Sequence, residues 1–357
     1  MLSEIFVPLV KRSEGFDALK RRVIDKGFCT YCGACAAFCE HIVLKEIPEL
    51  VEDCSMGYED VIKCGETGIC YDVCPMTETN EQELEAAFLE GKRDEELGIV
   101  RKLTAGSCVK AGQGQDGGVV TSLLLSGLKS GIFDCCIIAT RGSGFRAEPV
   151  IAGSAEEIKE ASGTKYVAVP MVSKMGEAIK EGKRKIAIVG TPCEIRATRK
   201  IQHVMLKEVE EIDIIAIGLF CLENFDYDLL SEKTTELLGI ELGEAEKVQI
   251  SKGRYIVRSN GKEKSCKVTA LEDAVRNNCF YCEDFTARLA DISVGSVGSP
   301  DCSSTVIIRS KKGEELFNSL EDFVPTDVDR EGIIRNASLK KENIRWGDEV
   351  PPILRLD

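Results

Sequence analysis

Residues 185–201 read KIAIVG and then TPCEIRATRKI, an apolar run, a proline turn and a helical pattern in direct succession. The same texture recurs on either side. CCIIAT (Cys135–Thr140) precedes a loop, and IDIIAIGLFC (Ile212–Cys221) precedes a helix expected over Tyr227–Leu238. Strand, turn and helix repeated in this way argue for α/β layering. KVQISKGRYIVRSNGKEKSCKV (Lys247–Val268) instead alternates in period two, with Asn260-Gly261 at a turn, and reads as a small antiparallel insert. A helix over Ala270–Arg276, the pair CFYC, the strands ADISVGSV and STVIIRS, and a helix near Glu314–Phe323 are expected to close this core.

Ahead of the core the cysteines dominate. The chain has 17 in 357 residues, and eight of them fall in CTYCGACAAFC (Cys29, Cys32, Cys35, Cys39) and CSMGYEDVIKCGETGICYDVCP (Cys54, Cys64, Cys70, Cys74). C-x2-C-x2-C-x3-C is the ferredoxin run, in which three thiolates hold one [4Fe-4S] cluster and the fourth crosses to its neighbour. By that rule Cys29, Cys32, Cys35 and Cys74 hold one cluster, and Cys39, Cys54, Cys64 and Cys70 the other. The second set departs from the ideal run: Cys64 and Cys70 are separated by five residues, and Glu40 follows Cys39 where proline is usual. The alternatives are a disulfide framework and structural zinc. Zinc sites mostly use two separated C-x2-C pairs, which favours iron and sulfide here.

The expected architecture is therefore an α/β (α+β) core with a small antiparallel insert, preceded by a ferredoxin-like two-cluster domain. Five segments follow: an amphipathic stretch with Phe16, Leu19 and Val23 over residues 1–24, the cluster domain over 25–77, an acidic, solvated helical linker over 78–99, the core over 100–325, and a tail over 326–357. The tail either docks a partner or wraps its own core.

Charge and patterning exclude several classes. Forty-six basic against 60 acidic residues give a net charge of −14, which disfavours nucleic acid as a partner. The longest strongly apolar stretch, Ile214–Leu222, is about half of what a spanning helix needs. An odd cysteine count with no signal segment points to a reducing cytoplasm, any membrane attachment being made through a partner. His41 and His203 are the only histidines, and no nucleophile or acid-base constellation accompanies them.

Four more cysteines draw attention: Cys193 and Cys221 at the ends of apolar strands, and Cys279 with Cys282. Ligand sites of α/β folds gather at such strand ends, so a third cluster and ordinary buried thiols are both open readings. GQGQDGGVVTSLLLSGL carries a G-x-G-x-x-G at Gly112, Gly114 and Gly117 that runs into an apolar helix. It reads as a phosphate-binding loop or as a plain glycine-rich connection; a Rossmann fingerprint would need a firmer preceding strand.

Several segments together resemble the beta-subunit family of coenzyme F420 hydrogenase and its dehydrogenase relatives: QDGGVVTSLL, SGTKYV, VGTPCEI, GLFCLENF, CFYCEDFTARLADISVGSVGSP and STVIIRS. The resemblance implies a domain holding FAD beside one [4Fe-4S] cluster, with Cys193, Cys221, Cys279 and Cys282 as its ligands. It implies flavin contacts at Gly117, Gly118, Val119, Thr121, Gly163, Thr164 and Lys165, and weaker ones at Asn224, Asp291 and Gly295. Lys165 would position the flavin or the coenzyme. Where the family commonly has glycine and tryptophan, this chain has Cys302 and Ser303. With a ferredoxin domain fused ahead, the chain is similar to the electron-input subunit of F420H2 dehydrogenase and to formate dehydrogenase beta subunits.

The activity so implied is an F420H2 oxidoreductase of methanogenesis. Hydride would exchange between F420 and FAD, and single electrons would pass through three [4Fe-4S] clusters to a partner. The partner would be a subunit of a membrane-bound dehydrogenase, formate dehydrogenase, hydrogenase or heterodisulfide reductase. Arg141, Lys174, Arg288 and Arg309 are candidates to line the site of the anionic coenzyme tail. Rival readings are a flavin and iron-sulfur reductase of another substrate, and an electron-transfer subunit with no substrate of its own.

Overall fold

The computed structural model describes residues 15–51, 68–108, 116–207, 209, 211–345 and 350–354. An eight-stranded mixed sheet forms its centre. The strands are β1 (Lys102–Cys108), β2 (Cys135–Arg141), β3 (Ala147–Ala152), β4 (Lys185–Gly190), β5 (Asp213–Leu219), β6 (Ile292–Gly295), β7 (Ser304–Ile308) and β8 (Phe323–Thr326). Their order is β8-β1-β7-β6-β5-β4-β2-β3. Strands β6, β5, β4 and β2 run parallel, and both flanks are antiparallel.

The central strands are apolar throughout because both faces are covered. Ile186, Ile188, Ile214 and Ala216 pack into one layer, while Ala187, Ile215 and Ile217 point into the other. The helices of eight or more residues are α1 (Glu81–Phe88), α2 (Val119–Lys129), α3 (Ser173–Lys180), α4 (Pro192–Val204), α5 (Tyr227–Leu238), α6 (Lys311–Asn318) and α7 (Arg330–Glu342). Helices α3 and α4 cover the first face; α2 and α6 cover the second. Helix α5 has the bounds expected, capped by Asp226, whose carboxylate accepts from the Asp228 and Leu229 amides, and stopped at left-handed Gly239. The insert is a three-stranded meander over residues 247–267, and Asn260 and Gly261 both take positive φ at its second turn.

Phe16, Leu19 and Val23 are buried as their spacing implied, in a small core with Phe28, Ile42, Cys70, Tyr71 and Cys74. Cys32, Ala34, Ala37 and Val73 instead join the core of the large sheet, so this N-terminal unit is packed against the rest.

Two expectations need correction, and the tail takes one of its two expected forms by wrapping its own core. The acidic stretch 78–99 is not a solvated helix: α1 gives way to a hairpin, Lys92–Asp94 with Gly98–Val100. Leu84 sits in the main core, Glu81 pairs with Arg196 at 2.6 Å and Glu85 pairs with Arg93. Its acids found basic partners, several of them remote in sequence: besides Arg196, Arg330 pairs with Asp94 and Lys341 with Glu96. The tail from residue 326 is part of the fold, with Ile333 and Ala337 of α7 packed on Leu97 and Phe285, and Ile353 in the N-terminal core. The helix expected over 270–276 is a 3-10 segment, Val268–Ala274, and that near 314–323 is α6 followed by β8. Among the described residues no helix is long and apolar enough to cross a membrane.

Candidate functional site

Cys193, Cys221, Cys279 and Cys282 all line one cavity, with Thr191, Asn224, Arg276, Asn278 and Lys340. Strands β4 and β5 are adjacent and parallel, and their carboxyl ends deliver the first two thiols. Pro192 opens α4, and the Glu194 carboxylate accepts from the Thr191 amide at 2.6 Å, which fixes the turn carrying Cys193. The short Asn277–Tyr281 turn supplies Cys279 and leads into Cys282.

Burial pushes the thiols of Cys193, Cys221 and Cys279 up to about 12, each with other cysteines of the set among its charged neighbours. The Asn224 amide donates to the sulfur of Cys279 at 3.3 Å. Burial opposes the charge on Lys340, yet Cys282, Cys221 and Cys279 together hold its ammonium above the ordinary lysine range. Arg196, ion-paired with Glu81, is a second buried cation near Cys282. Arg276 Nε and Asn278 Oδ1 are buried at this cavity without a hydrogen-bond partner among the described residues.

This donor set fits an anionic thiolate-ligated cluster: four cysteines at one cavity, three of whose thiols burial keeps from ionising alone, with buried cations nearby to offset the charge. Among the described residues no three His, Cys, Asp or Glu side chains close around a point that would hold a single ion.

In the N-terminal unit Cys29, Cys32, Cys35 and Cys74 are brought together. Cys35 has Cys32, Cys29 and Cys74 as charged neighbours, Cys32 has Cys74, and Cys74 has Cys29. Cys70 of the second set also borders Cys35, and Cys39 is half-buried nearby in the same small core. Cys54 and Cys64 lie outside the described residues. Cys193 is a further charged neighbour of Cys32, so the first set and the core set adjoin.

The residues expected at a flavin are less closely gathered. Gly112 and Gly114 lie outside the described residues. A Cβ on Gly117 would fall 2.8 Å from the Gly106 carbonyl and from the Ser304 amide nitrogen. Gly118 is left-handed and starts α2 without a side-chain cap, leaving the first-turn amides for another acceptor. Val119 is buried, so it offers its amide alone, and Thr121 is half-buried. Strand β1 is firm, but it runs antiparallel to both neighbours, so this loop is not the first turn of a Rossmann unit.

Gly163 takes φ 93° and, like Thr164, is exposed. The Lys165 ammonium donates to the carbonyls of Ala161 and Gly163 just past the helix Ala155–Glu160, and burial lowers it to about 8. Asn224 borders the cysteines, and its side chain accepts from the Phe225 amide.

The expectation for Asp291 does not fit. Its carboxylate is 1% exposed and already engaged by Arg199 (2.8 Å), the Ala216 amide (2.7 Å) and the Ser310 hydroxyl (2.6 Å). Gly295 leaves room for the ring of Phe220. Arg309 is likewise internal, donating to Ser293, Leu97 and Thr286, and is not available to a coenzyme tail. Arg141 holds the Ala245 carbonyl, Lys174 pairs with Glu177, and Arg288 holds the Glu96 carbonyl.

Sequence reasoning missed Lys340, Lys200, Arg196 and Arg276 as neighbours of the cysteines. Arg196 and Arg276 each lie three residues from a core cysteine, but the contacts of Arg196 with Cys282, Arg276 with Cys29, Lys200 with Cys74 and Lys340 with Cys221 join remote parts of the chain.

The chain is similar to known proteins over most of its length. Residues 103–175 match the family model described as coenzyme F420 hydrogenase/dehydrogenase, beta subunit N-term, and residues 183–325 match the corresponding C-terminus. One of the subunits of the F(420)H(2) dehydrogenase of Methanosarcina mazei is 32% identical over 84% of each chain. The coenzyme F420-dependent sulfite reductase of Methanocaldococcus jannaschii is 30% identical over 89% of this chain, which spans 50% of that protein's length. A solved chain of the F420-reducing [NiFe] hydrogenase complex from Methanosarcina barkeri superposes with a TM-score of 0.66 at 31% identity, over 71% of this chain and 91% of that one. With both family models matched, and a relative aligned over most of its length, the chain belongs to the coenzyme F420 hydrogenase/dehydrogenase beta-subunit family.

Proposed function

We propose that this chain is an F420H2 oxidoreductase subunit that exchanges hydride between coenzyme F420 and a bound FAD and passes single electrons through three [4Fe-4S] clusters to a partner redox protein. One observation carries the reading: four cysteines from remote segments ring a cavity at the carboxyl edge of the sheet, and Cys193 among them adjoins Cys32 of the N-terminal set. The bound groups supply conversion of hydride into single electrons at the flavin and one-electron carriage at the clusters.

The chain supplies the rest. Cys193, Cys221, Cys279 and Cys282 hold the core cluster; Cys29, Cys32, Cys35 and Cys74 hold the next; Cys39, Cys54, Cys64 and Cys70 hold the third. Lys340 and Arg196 offset the negative charge at the core cavity. The uncapped start of α2 after Gly118 suits an anionic flavin group. The Gly163-Thr164-Lys165 turn adds a cation for a phosphate or a reduced flavin. Partner subunits of a dehydrogenase complex fit the naming of the relatives as subunits.

A second reading, a reductase of the same fold acting on another substrate, is favoured by the extent of the match to the sulfite reductase. The test is anaerobic protein supplied with FAD, a one-electron dye and reduced F420, with NADH as control. Dye reduction that tracks the fluorescence of oxidised F420 is the expected result. Bound flavin unresponsive to F420 would favour the second reading, and no flavin at all a plain electron-transfer subunit.

A further inference from the structure

Three of the four cysteines assigned to the first N-terminal cluster have their backbone carbonyls held by the sheet domain. Arg276 Nη2 donates to the Cys29 carbonyl at 3.0 Å, the Val172 amide to that of Cys32 at 2.9 Å, and Lys200 Nζ to that of Cys74 at 2.7 Å. Lys200 lies in α4 and is 5% exposed. It also donates to Thr77 Oγ1 (2.8 Å), the Glu78 carbonyl (3.0 Å) and Thr79 Oγ1 (3.0 Å). None of these acceptors is a carboxylate. Asp72, Glu78 and Arg196 are its charged neighbours besides Cys74.

A buried ammonium with neutral acceptors is costly, and a leucine would fill a core-facing helix position without that cost. Asp72 and Glu78 offset part of that cost, and an anionic group on the far side of Cys74 would offset more. Reduction adds one negative charge to a cluster, and a fixed cation a few ångströms away stabilises the reduced form. We propose that Lys200 is a positioning residue that raises the reduction potential of the cluster held by Cys29, Cys32, Cys35 and Cys74 and ties the loop after Cys74 to α4. This inference rests on the cluster assignment of the function proposed above.

The test is an anaerobic potentiometric titration, followed by electron paramagnetic resonance, of the full-length protein with its clusters reconstituted. Wild type, Lys200→Met, Lys200→Gln and Lys200→Arg are compared. In Lys200→Met one cluster signal should titrate lower, its reduced-to-oxidised ratio at the wild-type midpoint falling about tenfold, about 59 mV for one electron. The other signals should hold still, and Lys200→Arg should restore most of the shift. Lys200→Gln keeps a donor without the charge, and reports the same fall if Lys200→Met loses iron. Intact clusters with every midpoint unmoved would overturn the inference alone, as would equal shifts in the arginine and methionine variants. Loss of the cluster from all three variants would reduce Lys200 to a packing role. No cluster signal in the wild type would remove the functional reading and the inference with it.

Discussion

The Lys340 ammonium donates to the carbonyl of Cys221 at 2.6 Å across a separation of 119 residues, so the C-terminal helix closes the cysteine-lined cavity. Lys340→Met removes this donor and the cation facing Cys282, Cys221 and Cys279. Bound iron should fall by about one third, as for loss of one cluster in three. Iron and sulfide analysis of anaerobic protein checks this, and an unchanged iron content would deny Lys340 any part in holding the core cluster.

Cysteine variants should sort into sets. Cys279→Ala and Cys221→Ala should each abolish the same cluster signal, and Cys35→Ala a different one, with about one third of the iron lost in each. Cys302→Ala, in an exposed loop, should lose none. Resonance spectra of the single variants provide the measurement.

Flavin affinity should depend on pH through Lys165. Its ammonium titrates at about 8, so the charge is present below that value and lost above it. FAD binding should therefore weaken as pH rises through about 8, by roughly tenfold for loss of one charged hydrogen bond. In Lys165→Met the weaker affinity should show no such step. Fluorescence titrations between about pH 6.5 and 9.5, values chosen to bracket about 8, would reveal a step of the wrong sign.

Asp291→Asn should act on stability. It leaves the Arg199 guanidinium, 1% exposed, without its counter-charge, at a cost of about 3–5 kcal/mol. Denaturant unfolding should show that loss while FAD bound per folded protein stays unchanged; reduced flavin binding at full stability would return Asp291 to the cofactor site.

Gly176→Ala should loosen the N-terminal unit, because the new Cβ would fall onto the carbonyl oxygen of Ala37. Strain of about 1–3 kcal/mol is expected. Hydrogen exchange should speed up over residues 28–38 and remain slow in β4 and β5.

The layering was legible because β4 and β5 are buried on both faces and read as short apolar runs, and the insert because its pattern alternates in period two. Cys193 and Cys221 stood out as strand ends, and Cys279 with Cys282 as a close pair. The acidic stretch misled because composition shows charge without its partner: Glu81 counts as solvated until Arg196 is placed beside it. Asp291 misled in the same way, since a motif match cannot tell a carboxylate that faces a ligand from one held by Arg199.

By itself the sequence determined the alternating layers, the spacing of the cysteines and the family, because these rest on local periodicity and on spacing along the chain. Only the tertiary structure decided that Cys32 adjoins Cys193, that Lys200, Arg276 and Lys340 reach the cysteine carbonyls, and that the tail is part of the site. Each of these contacts joins segments far apart in the chain. Side-chain reach across a packed core leaves no periodic trace in the residues on either side.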